Sequence, residues 1–265
     1  MSEGDFPPRP RKRFGQHFLV DRSVVARILE SIAPEQSDRI VEIGPGQAAL
    51  TAPLLERVGR LDAIEIDRDL AQRLKQRFPE KLQVHVGDAL KFDFPRLGSD
   101  LRIVGNLPYN ISTPLLFRLA DFASSIRDAH VTLQKEVVER MIAEPSSKEY
   151  GRLSVMLQLR FRMRKLFEVH PRAFRPAPEV ESAVVRMAPL ACPPAADYAL
   201  IKRVATAAFS KRRKQLKNAL AGVVPAEAWE RLELAPELRP EDLSVADFLR
   251  IASYLARAED LSAAG

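Results

Sequence analysis

The sequence predicts an α/β protein: a doubly wound, mainly parallel sheet with an antiparallel hairpin at its edge, followed by a small all-α domain. Three observations predict it. Short, apolar, β-rich runs alternate with helical patterns as far as residue 188, the signature of βαβ units buried on both faces. Two further β-like runs then flank a Pro-rich stretch, as an edge hairpin would. Beyond residue 198 no strand signal appears.

In chain order, strands are expected at 39–43 (RIVEI), 61–66 (LDAIEI), 82–86 (LQVHV), 101–104 (LRIV) and 129–133 (AHVTL). Helical patterns at 68–78 and 114–122 supply crossovers, and another begins at Arg22. The runs 166–169 and 182–187 are assigned to the edge hairpin, separated by HPRAFRPAPEVE. The tract PLACPP at 189–194 reads as a linker, so the expected domains are 1–190 and 195–265. The second should hold helices at 198–209, 212–221, 226–232 and 245–257.

Composition excludes several classes. Of 265 residues, 46% are hydrophobic and 29% charged, as in an ordinary globular protein and unlike a disordered or collagen-like chain. No apolar run approaches the ~18–20 residues that span a bilayer, and no apolar segment follows the basic N-terminal stretch as in a secretory signal. No membrane association is expected. With Cys192 as the sole cysteine, an internal disulfide and a Cys-based zinc cluster are both impossible. A cytoplasmic protein without a metal is therefore expected, and nothing demands more than a monomer. The net charge of +6 favours an anionic partner without identifying it.

The first strand runs into Glu42-Ile43-Gly44-Pro45-Gly46-Gln47-Ala48. Two glycines one residue apart at a strand-to-helix turn let a ligand approach the backbone and the N–H groups behind it; a tight structural turn would use the same residues. Glu65 closes the second strand, where a carboxylate can accept both hydroxyls of a ribose. Asp88, followed by Ala89, closes the third strand and could accept a hydrogen bond from an adenine amine. Either acid alone could be a helix cap. Together, on three consecutive strand ends, the series points to a nucleoside pocket at the carboxyl edge of the sheet.

The fourth strand runs into Asn106-Leu107-Pro108-Tyr109. This tetrapeptide resembles the Asn-[Leu/Ile]-Pro-Tyr signature of amino-methyltransferases that use S-adenosyl-L-methionine. The chemistry explains the residue types. An exocyclic adenine amine is a poor nucleophile because its lone pair is delocalised into the ring. The Asn106 side-chain oxygen and the Leu107 carbonyl could hold its hydrogens, while Tyr109 stacks on the extruded base.

Further segments resemble the small-subunit ribosomal RNA adenine dimethyltransferases, in that family's order. Gln16-His17-Phe18-Leu19 is similar to a stretch that packs over the cofactor, which nominates His17 and Leu19; His17 could instead cap the following helix. Phe174-Arg175-Pro176-Ala177-Pro178-Glu179-Val180-Glu181-Ser182 matches Phe-x-Pro-x-Pro-x-Val-x-Ser, making Phe174 either a second wall for the base or a core residue of the hairpin. Phe209–Asn218 resembles the family's Phe-Ser-x-Arg-Arg-Lys-x-Leu-x-Asn helix. The resemblance implies a Rossmann-like class I methyltransferase sheet, the cofactor S-adenosyl-L-methionine held by His17, Leu19, Glu42, Gly44, Gly46, Glu65, Asp88, Ala89 and Asn106, and a base site formed by residues 106–109 with Phe174. One position departs from the pattern. The usual third glycine is Ala48, expected to fit a helix first turn.

Between Tyr198 and Ala226 there is no acidic residue, yet Lys202, Arg203, Lys211, Arg212, Arg213, Lys214 and Lys217 fall there. These seven charges exceed the net +6 of the whole chain, so the remainder is nearly balanced. Arg160, Arg162, Arg164 and Lys165 form a second group, and Arg9, Arg11, Lys12 and Arg13 a third. A solvated face is the usual meaning of such runs; beside an adenine pocket they are expected to hold RNA phosphates. The expected activity is dimethylation at N6 of two adjacent adenosines near the 3′ end of 16S rRNA, in the 30S subunit. The related 23S rRNA methyltransferases, a non-catalytic nucleic-acid-binding factor of the same fold and a nicotinamide dehydrogenase are the competing expectations.

Overall fold

A computed structural model describes residues 16–194 and 197–263; the N-terminal cations Arg9 to Arg13 lie outside the described residues. The chain divides into two compact units. One comprises the residues up to Val138 with Arg162–Pro189, and the other Glu139–Phe161 with the residues from Leu190 onward.

The first unit opens with strand β1 (Phe18–Leu19) and helix α1 (Arg22–Ile32). Asp21, not His17, caps α1, accepting from Ser23 N–H at 2.8 Å and Val24 N–H at 3.3 Å. There follow β2 (Arg39–Ile43), α2 (Thr51–Leu55), β3 (Leu61–Glu65), α3 (Arg68–Arg77, capped by Asp67), β4 (Leu82–Val86), β5 (Leu101–Asn106), α4 (Ser112–Asp121) and β6 (Ile126–Gln134). Helix α5 (Lys135–Ile142) leads out of this unit and α6 (Arg152–Gln158) belongs to the second. The chain returns through β7 (Phe161–Val169), β8 (Phe174–Arg175) and β9 (Ser182–Pro189).

Seven strands form one sheet in the order β4-β3-β2-β5-β6-β9-β7, and β1 pairs with β8 in a separate two-stranded ribbon. Strands β2 to β6 are parallel and β9 is antiparallel to β6. The expected doubly wound sheet and its antiparallel edge are both present. Strand order reverses between β2 and β5, the switch point at which a crevice opens beyond the strand ends. Residues such as Ile40, Leu61, Ala63 and Val104 are essentially inaccessible, because helices cover the sheet. Strand β7 begins five residues earlier than expected. Its exposed Arg162 and Arg164 alternate with less exposed neighbours along the sheet's outer edge, where cations discourage pairing with another chain.

The second unit adds α7 (Tyr198–Ser210), α8 (Leu216–Ala219), α9 (Ala228–Leu232) and α10 (Val245–Ala263). Tyr150, Phe209 and Phe248 are central to its core, with Phe209 and Phe248 stacked at 5.7 Å. Two expectations are corrected. The first expected domain, 1–190, is interrupted, because residues 139–161 pack with the C-terminal helices. The 212–221 helix is reduced to α8, and the basic run lies in the turn after α7. Four adjacent cations repel one another on a helix but are favoured beside the carbonyl end of one. No helix among the described residues is long and apolar enough to cross a membrane.

Candidate active site

A cleft opens where β2, β3, β4 and β5 end, and β1 closes one side of it. Its lining includes His17, Gly44, Gly46, Glu65, Asp88, Ala89 and residues 106–109. A smaller cavity adjoins it, lined among others by Leu19, Glu42, Gly44, Gly46, Gln47 and Asn106. The four strand ends singled out from the sequence thus converge, because parallel strands in one register bring every carboxyl end to the same edge.

The glycine turn is shaped by close packing. Gly44 and Gly46 adopt φ of +67° and +55°, and a Cβ on Gly46 would come within 3.0 Å of the Phe18 ring. Ala48 is a correction. It does not sit in a helix first turn but at φ +70°, in the left-handed region where an L residue is strained, and α2 starts only at Thr51.

Both acids beside the turn are buried, and burial is the largest influence on each. Glu65 accepts from Gly46 N–H at 3.2 Å and Asp67 N–H at 2.9 Å. Desolvation nevertheless raises its pKa. Among the described residues Glu42 has one hydrogen-bond donor, Thr51 Oγ1–H at 2.7 Å, and burial together with the nearby Glu65 charge pushes it up to about 7. Asp88 accepts from Leu90 N–H at 2.9 Å through one oxygen. A carboxylate has about four lone-pair positions, so both Asp88 and Glu65 keep capacity for a ligand. Ile66, next to Glu65, lines the cleft although 45% exposed, an apolar surface suited to a flat ring.

At the other side, Asn106 donates from Nδ2 to the His17 carbonyl at 2.7 Å. That bond assigns the amide, so Oδ1 is the atom left to accept from a ligand. The Pro108 carbonyl is taken by Ser112 Oγ–H at 3.0 Å and Ile111 N–H at 3.2 Å. Leu107 N–H donates to Thr132 at 3.1 Å, which extends the β5–β6 ladder. The Tyr109 ring stacks on His17, centroids 5.3 Å apart and 24° from parallel, and its hydroxyl meets Ser182 Oγ at 2.5 Å. Burial raises the Tyr109 pKa, keeping the phenol neutral. His17 Nδ1 in turn bonds the Pro176 carbonyl at 2.8 Å.

Not every nominated residue reaches the cleft. Phe174 is fully buried in the core and paired through β8 with Leu19 of β1, outside the β7–β9 edge. An aromatic next to two short strands is drawn into the core they close. Leu19 is likewise a core residue that reaches the smaller cavity. Residues missed from the sequence include Phe18, Ile66, Gly105 and Ser182. Gly105 carried a signal, since glycine inside a strand often marks close backbone approach. A Cβ there would lie 2.5 Å from the Ile43 carbonyl.

The cations divide as well. Lys211, Arg213, Lys214 and Lys217 are exposed, and the first three have no ion pair among the described residues. Lys217 lies 3.5 Å from Glu237. Arg212 is instead structural: its Nε bonds Glu241 at 2.7 Å, and its Nη2 bonds the Lys148 carbonyl. Arg160 is half-buried, stacked 4.7 Å over Tyr198. Both thus have partners within the protein.

Comparison with known proteins agrees with this geometry. Residues 8–257 match the family model of ribosomal RNA adenine dimethylase. The ribosomal RNA small subunit methyltransferase A of Aromatoleum aromaticum is 56% identical over 251 residues, spanning 94% of this chain and 95% of the relative. That of Thiobacillus denitrificans is 56% identical over 250 residues, spanning 93% and 98%. A solved dimethyladenosine transferase from Plasmodium falciparum superposes with a TM-score of 0.81 at 26% identity, covering 91% of this chain and 98% of that one. A 23S rRNA methyltransferase, ErmE, superposes at 0.68 with 24% identity, covering 90% and 99%, a likeness of fold. With a match to almost its whole length and the strand-end cleft in place, the chain belongs to the ribosomal RNA adenine dimethylase family.

Proposed function

We propose that this protein dimethylates N6 of two adjacent adenosines near the 3′ end of 16S rRNA in the 30S subunit, with S-adenosyl-L-methionine as methyl donor. The observation that carries the reading is Asn106: its amide N–H is used by the His17 carbonyl, which reserves Oδ1 as an acceptor in a cleft that also holds Tyr109.

The cleft fits the cofactor's chemistry. Glu65 is assigned to the ribose hydroxyls, Asp88 and Ala89 to the adenine edge, and Ile66 to the ring face. His17 closes the cleft, while Gly44, Gly46, Leu19 and Glu42 are assigned to the amino-acid end. The cofactor supplies an electrophilic methyl group on a sulfonium. The protein's own work is orientation and electrostatics. Asn106 Oδ1 and the Leu107 carbonyl hold the amine hydrogens, two before the first transfer and one before the second, and favour a pyramidal nitrogen, and Tyr109 fixes the base plane. Each transfer would form an N–C bond as the methyl–sulfur bond breaks, leaving a neutral thioether; the amine turns acidic only as it is methylated, so its proton passes to water without a strong base. Lys211, Arg213, Lys214 and Lys217, with Arg162, are assigned to phosphates.

Labelled S-adenosyl-L-methionine incubated with 30S particles, 50S particles or naked rRNA lacking the modification tests the proposal. Label is expected on two adjacent adenines of the 30S RNA. Label on 50S alone would move the substrate to the large subunit, and no transfer to any RNA would support a binding factor. Replacing Arg213 and Lys214 by Glu is expected to weaken RNA binding. It should also flatten the plot of log affinity against log salt by about 0.7–0.9 for each phosphate left without its cation.

A further inference from the structure

We propose that Ser182 is a positioning residue for base capture, acting through the Tyr109 hydroxyl. The proposal rests on the reading of Tyr109 as the wall on which the target base stacks.

Tyr109 starts a short helical turn immediately after Pro108, and its hydroxyl is hydrogen-bonded to Ser182 Oγ at 2.5 Å. Ser182 is 0% exposed and is the first residue of β9, where it pairs with Gln134 of β6. The preceding residue is also anchored: Lys135 N–H donates to the Glu181 carbonyl and Lys135 Nζ to the Glu181 carboxylate, both at 2.9 Å. The backbone that carries the serine oxygen is therefore held within the sheet, whereas the tyrosine it holds sits on a single short helical turn. A side chain has two soft torsions between that turn and its ring. His17 packs against one face of the ring but leaves it free to slide in its own plane. The Ser182 bond removes that freedom by fixing the far end.

The consequence is specific to the chemistry. A stacking wall sets the plane of the base and hence the direction in which the exocyclic amine presents its lone pair. Small angular errors are costly when a reaction depends on orientation. Losing the serine hydroxyl also strands a half-buried phenol, which would then turn towards water. Ser182 itself touches neither the base nor the cofactor; it decides where the ring rests.

The test is a double-mutant cycle in the full-length protein. Ser182→Ala and Tyr109→Phe remove the same bond from opposite sides, and Tyr109→Phe keeps the stacking face. The readouts are kcat and KM on unmodified 30S particles, RNA Kd without cofactor, cofactor Kd and melting temperature. Each single variant is expected to lower kcat about tenfold with cofactor Kd within twofold, and the double variant should be no slower than either. Multiplying losses, or a Ser182→Ala variant at the parental rate, would overturn the proposal. Should Ser182→Ala not fold, Tyr109→Phe decides alone: a tenfold loss supports the bond and the parental rate overturns it. Tyr109→Ala separates the two levels. Full activity in that variant would remove the base-wall reading itself, whereas its loss beside an unaffected Ser182→Ala would remove only the role of the serine.

Discussion

The two ends of the central sheet carry similar residue types and put them to opposite uses. Strand β5 shows both: Arg102 near its start is buried in an ion cluster, and Asn106 at its end faces the cleft. At the amino end, Arg102 bonds Asp128 twice at 2.9 Å, Asp38 at 2.6 Å and the Ile32 carbonyl at 2.6 Å. Arg127 adds a bond to Asp38 at 2.7 Å and pairs with Asp100. Burial alone would raise the Asp38 pKa, but the Glu35 N–H and the two guanidinium groups hold it below its ordinary value. At the carboxyl end the acids lack such partners, and burial wins: Glu42 and Glu65 are both raised. A polar group saturated within the protein stabilises it; one left with spare capacity is available to a ligand and costs stability.

The largest effect is expected at the saturated end. Arg102→Met would leave Asp38 and Asp128 without their central partner, at a cost of about 3–5 kcal/mol in chemical denaturation. Cofactor affinity of the folded fraction should stay within twofold; a large change would mean the two ends are not separable. Asn106→Ala reverses the pattern, lowering kcat by about 10²–10³ while melting temperature and cofactor binding change little. Unchanged turnover would remove Asn106 from the amine site.

Glu42 sharpens the contrast through pH. Its pKa is raised from 4.5 to about 7 on folding, so the folded protein binds the extra proton and stability is fully present below 4.5. Stability is lost as pH rises from 4.5 towards and through 7, on the order of 3 kcal/mol. Glu42→Gln should flatten that loss in melting curves recorded from pH 5 to 8; an unaltered slope would show that another group carries it. The smallest effect is Ala48→Gly, which relieves a left-handed alanine at φ +70° and is expected to stabilise by about 0.5–1 kcal/mol. A lower melting temperature would show that the alanine methyl packs well enough to offset its strain.

Much of the cleft was legible because its residues follow strand ends. Gly44, Glu65, Asp88 and Asn106 each close an apolar run, and parallel register brings such ends together whatever the loops do. The internal partners of Arg212 and Arg160 were hidden for the opposite reason. A cation in a basic run carries no mark of whether a distant acid or aromatic ring will claim it, and Glu241 and Tyr198 did so.

Local pattern, then, was enough for the α/β class, the strand boundaries near 39–43 and 82–86, and the position of Asn106 at a strand end, since periodicity and residue type act over a few neighbours. Packing decided the burial of Phe174, the left-handed turn at Ala48, the grouping of residues 139–161 with the C-terminal helices and the bond from Ser182 to Tyr109. Each of these depends on which surfaces meet across a long stretch of chain. That outcome is set by burying apolar area and satisfying polar groups over the whole fold, and no short window of sequence contains it.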